Sequence, residues 1–398
     1  TGSATINYKL PSDSNAGDTI QTSATVAGPL LENLGTRITV SQTQRDADTG
    51  LSGDDFADST TGIKNQNIDG KLAWEVVDGH VLELFGTYGK QTNTNPSFKQ
   101  GETGSEFWLG SDGETDTTVI QRYGLAWDGE YDWGSSKFSV YRNEFEKKDT
   151  MTEVNGVLAP TDQKNAQTVI DGKINTQFQL GVEHNLTVGG QWKKEELTNS
   201  RTLGINSNGA PSIDGSDHSG NINVEGTSWA LFLEDSLKLT DKFTLTLGGR
   251  LDDDDRYGTQ FSPRGYGVYN LTDSWTLKGG VSRGFRAPDL VQTAPAFSTG
   301  SRGKGCMSTF GTYDPVTNPN GFQSSYNKTG YVNCFATGNP DLKPEESTNY
   351  ELGFNFQNQH VNSSLTYFHT DFKNKILSQA VKHTPSNQID AAYQSRYP

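Results

Sequence analysis

Several segments in the second half of the chain alternate apolar and polar residues with a period of two. In 229–239, Trp229, Leu231, Leu233, Leu237 and Leu239 fall on one face. In 243–251, Phe243, Leu245, Leu247 and Leu251 oppose Thr244, Thr246 and Arg250. In 275–281, Trp275, Leu277 and Val281 oppose Thr276 and Lys278; in 350–356, Tyr350, Leu352, Phe354 and Phe356 oppose Glu351 and Asn355. Successive side chains of a strand point to opposite faces, so this period means β-structure, and no window holds a helical period.

Composition decides what kind of β-structure. The hydrophobic fraction is 32%, under the roughly 45–50% of soluble globular domains. Disorder is excluded by 7 Trp, 15 Tyr and 19 Phe. Both facts fit a structure in which only every second strand residue meets an apolar medium. An antiparallel transmembrane β-barrel has that property, with lipid outside and a polar lumen inside. No run of 18 apolar residues exists, so a membrane-spanning helix is not expected. Barrel strands are short and only alternately apolar, so that absence leaves the barrel open.

Strand-like runs recur along the chain, in pairs joined by a tight turn and followed by a longer polar loop. They cover 4–10, 18–30, 36–48, 61–78, 81–93, 119–132, 137–149, 162–178 and 185–197, then the segments above and 360–377. The turns 239–243 and 271–275 (LTDKF and LTDSW) each end in an aromatic residue, as an interfacial girdle would require. Short turns on one side and long loops on the other match the asymmetry of an outer-membrane barrel. The expected organisation is a partial barrel over 1–378 of about fifteen strands, with a long extracellular loop at about 291–346. Residues 379–398 then read as the start of a further loop. An odd count leaves an open edge, and each backbone group unpaired in lipid costs several kcal/mol. The chain therefore reads as a fragment.

Charge and cysteines narrow the partners. A net charge of −15 and a pI of about 4.8 disfavour nucleic acid. Cys306 and Cys334 lie in the one long loop. A disulfide there implies an oxidising compartment and stabilises by roughly 3–4 kcal/mol on chain-entropy grounds; two buried free thiols are the alternative. The sequence contains no phosphate-binding loop, nucleophile elbow or zinc-protease motif. The six histidines show no metal-ligand spacing. No enzyme and no resident cofactor or metal is expected. Asp252 to Asp255 could suit Ca²⁺, but a solvated acidic loop is the simpler reading.

VSRGFRAPDL (281–290) and GNPDLKPEESTNYELGFNF (338–356) together resemble the paired signature of the TonB-dependent outer-membrane receptors. Within that family, GRLD (249–252), FSPRGYGVY (261–269), LTDSWTLKGGVSRGFRAP (271–288) and YFHTDFKNKI (367–376) are most similar to catecholate-siderophore receptors and the colicin I receptor. GKGC (303–306) with Cys334 is similar to the disulfide loop of ferric enterobactin receptors. The resemblance implies a 22-stranded barrel of the Gram-negative outer membrane, filled by an N-terminal plug. It implies uptake of a ferric siderophore energised by the TonB complex, contact with outer-membrane lipid and lipopolysaccharide, and use as a receptor by a colicin or phage. Against that pattern this sequence lacks the plug, the energy-coupling segment and roughly the last seven strands. A porin-like channel and an extracellular carbohydrate-binding or adhesive β-protein are the alternatives; both signature motifs speak against the first.

Within the motifs, Arg286, Pro288, Asn339, Asp341, Lys343, Pro344 and Glu345 read as structural, ending one strand and starting another, with Lys343 and Glu345 paired to wall charges. Ligand chemistry belongs on loop tips. A ferric catecholate is anionic and aromatic, so it calls for Arg or Lys beside Tyr, Trp or Phe. The candidates are Phe107, Trp108, Lys147, Lys148, Arg201, Arg302, Lys304, Tyr313, Tyr326, Lys328 and Tyr331, each of which could equally be a solvated loop residue.

Overall fold

The structure, a computed structural model, describes residues 1–49, 60–94, 114–154, 157–200, 202–204, 218, 220–300, 316–317 and 335–377. It is almost wholly β, with fifteen long strands that follow one another in chain order, each antiparallel to the next. The chain forms two compact units.

The first unit carries β1 (Gly2–Lys9), β2 (Thr19–Leu31), β3 (Leu34–Arg45), β4 (Gly62–Val77) and β5 (His80–Thr94). It continues through β6 (Glu114–Tyr131), β7 (Gly134–Val154), β8 (Val157–Leu180), β9 (Val182–Asn199) and most of β10 (Asn223–Thr240). One face is apolar near the short turns: Leu72, Leu84, Leu125, Val140 and Ile170 form a cross-strand row from β4 to β8. Farther toward the loops the same face becomes Gln66, Lys90, Val119, Glu146 and Lys164. A strand long enough to leave the hydrocarbon must change character in this way, because charge is tolerated only outside it. The opposite face carries Arg37, Lys71, Glu83, Arg122 and Asp171.

The second unit carries β11 (Phe243–Asp254), β12 (Gly258–Asn270), β13 (Trp275–Arg286), β16 (Glu345–Gln357) and β17 (Asn362–Lys373). A one-turn helix, α1 (Leu290–Thr293), and a small ribbon of β14 (Ser298–Gly300) and β15 (Phe335–Thr337) lie between β13 and β16. Register places Phe243, Tyr269, Leu277, Phe354 and Leu365 in one row across all five strands. Leu247 and Phe354 are exposed and Leu245, Leu277 and Phe356 half-buried, so the apolar face is not closed into a dry core. This is the arrangement the period-two pattern predicts for strands facing an apolar solvent.

The turns explain their own sequences. Thr240 Oγ1 accepts from the backbone N–H groups of Lys242 and Phe243, and Thr272 Oγ1 from those of Ser274 and Trp275. Asn358 Oδ1 does the same for His360 and Val361. Each side chain mimics a backbone turn. One reading is corrected. The stretch between 149 and 162, expected as a loop, continues the β7–β8 ladder, with Val154 opposite Val157. The Asn155-Gly156 pair, Pro160 and the several Thr and Asp residues there read as a loop, while the pairing that makes two strands of them is between the segments themselves.

Leu277→Arg, in the centre of the apolar row, should lower the folding stability of the full-length protein in lipid vesicles by about 2–4 kcal/mol. Thr244→Arg on the opposite face should cost under about 1 kcal/mol, since a polar lumen solvates the charge. Equal costs from urea titrations would contradict the assignment of the two faces.

Candidate functional site

The two signature motifs meet at the loop end of the second unit. β13 ends at Arg286, which lies directly opposite Glu345, the first residue of β16. Arg286 Nη1 sits 3.2 Å from Glu345 Oε2, and Glu345 Oε1 accepts from the Ile376 N–H at 2.7 Å. Of the two residues expected to pair with wall charges, Glu345 meets Arg286, and Lys343 is exposed. Pro288 is fully buried and Pro344 buried, because a residue without an N–H leaves no unmet donor at a strand end. Asp289 then caps α1. Its carboxylate accepts from the Gln292 N–H at 2.7 Å, while the Gln292 side chain accepts from the Asp289 N–H at 3.0 Å.

The second motif docks on this helix. The Asn339 N–H donates to the Gln292 carbonyl at 2.7 Å, and the Asn339 side chain accepts from the Asp341 N–H at 2.9 Å. Gly338 lies so close that an added Cβ would run into the carbonyl oxygens of Ala294 and Val291. Around the junction, Leu203, Leu290, Thr293, Ala294 and Ala296 are buried, and Leu203 bridges Phe297. Next to it, Arg256 grips the 3%-exposed Asp254 with Nε at 2.8 Å and Nη2 at 2.7 Å. Burial, followed by the neighbouring Asp254 charge, pushes the Tyr257 phenol above its usual range. Arg250 holds Asp252, Thr259 holds Asp253 and Arg256 reaches Asp255 as well as Asp254, so the carboxylates of 252–255 meet protein donors.

A comparable knot fixes the loops of the first unit. Asp48, buried in the loop after β3, accepts from the Gly17 N–H (3.0 Å), the Thr60 N–H (2.7 Å) and Arg45 Nη2 (2.6 Å). Burial works to raise its pKa, but the two backbone donors and the Arg45 guanidinium outweigh it and hold the carboxyl below the usual range.

Of the residues expected to meet ligand, Lys147 and Lys148 are described, and both lie within β7 rather than at a loop tip. They point to opposite faces. Lys147 pairs with Asp116 at 3.2 Å and Lys148 with Glu146 at 3.0 Å, so they do not form one basic site. Phe107, Trp108, Arg201, Arg302, Lys304, Tyr313, Tyr326, Lys328, Tyr331, Cys306 and Cys334 lie outside the described residues, as does 379–398. Sequence reading missed the Asp48 and Asp254 knots. Arg45 three positions before Asp48, and Arg256 two after Asp254, were the available signals.

Gly338→Ala should open the motif junction, seen as faster proteolysis of the β13–β16 loop, at a cost of about 1–3 kcal/mol. Arg286→Ala, whose guanidinium is exposed, should cost under about 1 kcal/mol. Asp48→Asn should raise hydrogen exchange at Gly17 and Thr60 at neutral pH. In the parent, whose folded-state pKa is depressed, the clasp is fully present above the unfolded value of about 4. It should be lost as pH falls through the lower, folded value.

Comparison with known proteins agrees with this architecture. The family described as TonB dependent receptor-like, beta-barrel matches residues 33–396. A probable TonB-dependent siderophore receptor, PirA of Acinetobacter baumannii, is 30% identical over 397 residues, covering 95% of this chain and 50% of its own length. The ferrienterobactin receptor of Escherichia coli is 28% identical, covering 94% of this chain and 51% of its own length. Among solved structures, a mutant of the ferric enterobactin receptor PfeA of Pseudomonas aeruginosa, in complex with enterobactin, superposes with a TM-score of 0.76. It has 25% identity and covers 96% of this chain and 55% of that one. The chain spans about half the length of the curated relatives it matches. With its unbroken series of antiparallel strands and its match from 33 to 396, the chain belongs to the TonB-dependent receptor family of outer-membrane β-barrels.

Proposed function

We propose that the full-length protein is an outer-membrane receptor that binds a ferric siderophore of the catecholate type and imports it with energy from the TonB complex. Relatives named as ferric enterobactin receptors support this, as does a structural neighbour in complex with enterobactin. The observation in this chain that carries the reading furthest is the composition of 301–334. In a chain of net charge −15, this segment holds Arg302, Lys304 and Lys328 against Asp314 alone, together with Tyr313, Tyr326 and Tyr331. Cations attract the anionic iron complex, and aromatic rings stack on its catechol planes. The tight motif junction serves this loop by fixing both of its ends. In this reading the apolar faces meet outer-membrane lipid, and the protein performs transport without chemical conversion of the ligand.

Cells lacking other catecholate receptors and expressing the full-length protein should accumulate radioiron from ferric enterobactin. Combined Arg302→Gln and Lys304→Gln should raise the Kd for ferric enterobactin about tenfold, the loss expected for about 1.4 kcal/mol of charge-assisted contact. Absence of uptake by the parent protein would reject the reading.

A further inference from the structure

The apolar face of the first unit carries an aromatic niche at its short-turn end. Alternation puts His80 on the face of Leu84, Trp127, Gly129 and Tyr131 on that of Leu125, and Ser136 on that of Val140. Register sets His80, Gly129 and Ser136 in one cross-strand row, with Leu82, Trp127 and Phe138 in the next row toward the hydrocarbon. Gly129 is the floor. A Cβ there would stand 2.7 Å from Tyr131 Oη, 2.9 Å from Trp127 Nε1 and 3.0 Å from Ser136 Oγ, so three polar atoms converge over it. The Tyr131 ring meets His80 edge-on with centroids 4.8 Å apart, and Trp133 stacks on Tyr131 at 4.8 Å and 13°. The His80 and Trp127 centroids are 5.6 Å apart.

The polar groups of this niche have a definite character. His80 Nδ1 lies 2.9 Å from the Asp78 carbonyl oxygen, which can only accept. Nδ1 therefore carries the proton, and the neutral ring keeps its lone pair on Nε2. Tyr131 Oη and Ser136 Oγ lie 3.1 Å apart, and the bond between them uses one of their two hydroxyl hydrogens. The other is a donor for a further acceptor. Residues 74–82 and 127–136 hold Glu75, Asp78, Asp128, Glu130 and Asp132, and no lysine or arginine. Lys137, the next residue, belongs to the opposite face and pairs with Asp128 at 2.7 Å. Such a charge pattern favours a cation. Short turns of an outer-membrane barrel lie on the periplasmic side, so the niche stands where the hydrocarbon of the inner leaflet gives way to water.

We propose that His80, Trp127, Tyr131, Trp133 and Ser136 form a headgroup site for a phospholipid ending in a primary ammonium, the chemistry of phosphatidylethanolamine. The ammonium lies against the ring faces and donates to His80 Nε2. The phosphate accepts from the Tyr131–Ser136 hydroxyl pair, and the acyl chains run over Leu84, Leu125 and Phe138, all exposed. An interfacial girdle requires rings alone. Rings gathered with two hydroxyls, an indole N–H and an imidazole lone pair, in wholly acidic surroundings, suit a headgroup of defined charge.

The test titrates the full-length protein in detergent with single phospholipids and reads bound lipid by native mass spectrometry. The parent should bind phosphatidylethanolamine about tenfold more tightly than phosphatidylglycerol, the effect of about 1.4 kcal/mol of cation–ring contact. Phosphatidylcholine should fall between them, because its quaternary ammonium keeps the ring contact and cannot donate to His80 Nε2. His80→Leu combined with Trp133→Leu should raise the Kd for phosphatidylethanolamine about tenfold and leave that for phosphatidylglycerol within about twofold. Tyr131→Phe combined with Ser136→Ala keeps the rings, and should weaken phosphatidylethanolamine about fivefold through the lost phosphate donor. Equal affinity of the parent for phosphatidylethanolamine and phosphatidylglycerol would overturn the site. Equal losses for both lipids in the first variant would reduce it to a girdle. Should that variant not fold, unchanged phosphatidylethanolamine affinity in the hydroxyl variant would overturn the site by itself.

Discussion

Every strand in this protein has to satisfy its backbone donors and acceptors through its neighbours, because the medium facing its apolar side offers no hydrogen bonds. That requirement accounts for the antiparallel order, the tight turns and the alternation of side chains. It also explains why so little of the chain is buried. Leu352, Phe354, Leu125 and Ile68 are exposed, and in water they would be a liability. Facing lipid they are the stable arrangement, and the ladder beneath them holds the structure together.

Among the described residues, the buried carboxylates sit at the loop ends, where strands leave the membrane and water returns. There the chain relies on local polar knots. Asp48 collects two backbone N–H groups and Arg45; Asp254 takes Arg256; Asp289 and Gln292 cap one short helix reciprocally. Charged hydrogen bonds of this sort stabilise most when shielded from solvent. They hold loop roots in place without an apolar core beneath them. The two family motifs belong to this class of feature. Arg286, Pro288, Gly338, Asn339 and Pro344 build a junction at the base of the long loop, leaving recognition to the residues beyond it.

Much of the architecture was legible because lipid imposes a period of two that composition cannot hide. Strands with an apolar face, such as 243–251 and 350–356, were found close to their true bounds. The distal parts of β7 and β8 were not, because no period of two runs through 149–162 and what makes strands of them is their pairing with each other. The candidate site was less legible. Lys147 and Lys148 look like a basic pair in sequence, yet adjacent strand residues point to opposite faces and each found its own carboxylate.

Alternation, low hydrophobicity and the paired motifs sufficed to establish a membrane β-barrel and its family, since those features record the solvent and the backbone geometry. Which charges neutralise one another depended on register across strands distant in sequence. Arg142 meets Glu196 over 54 positions, Arg286 meets Glu345 over 59, and Arg122 comes to rest between Phe85 and Tyr141. Cross-strand neighbours lie about 5 Å apart whatever their separation along the chain, so the fold, and not local sequence, selects which charged groups meet.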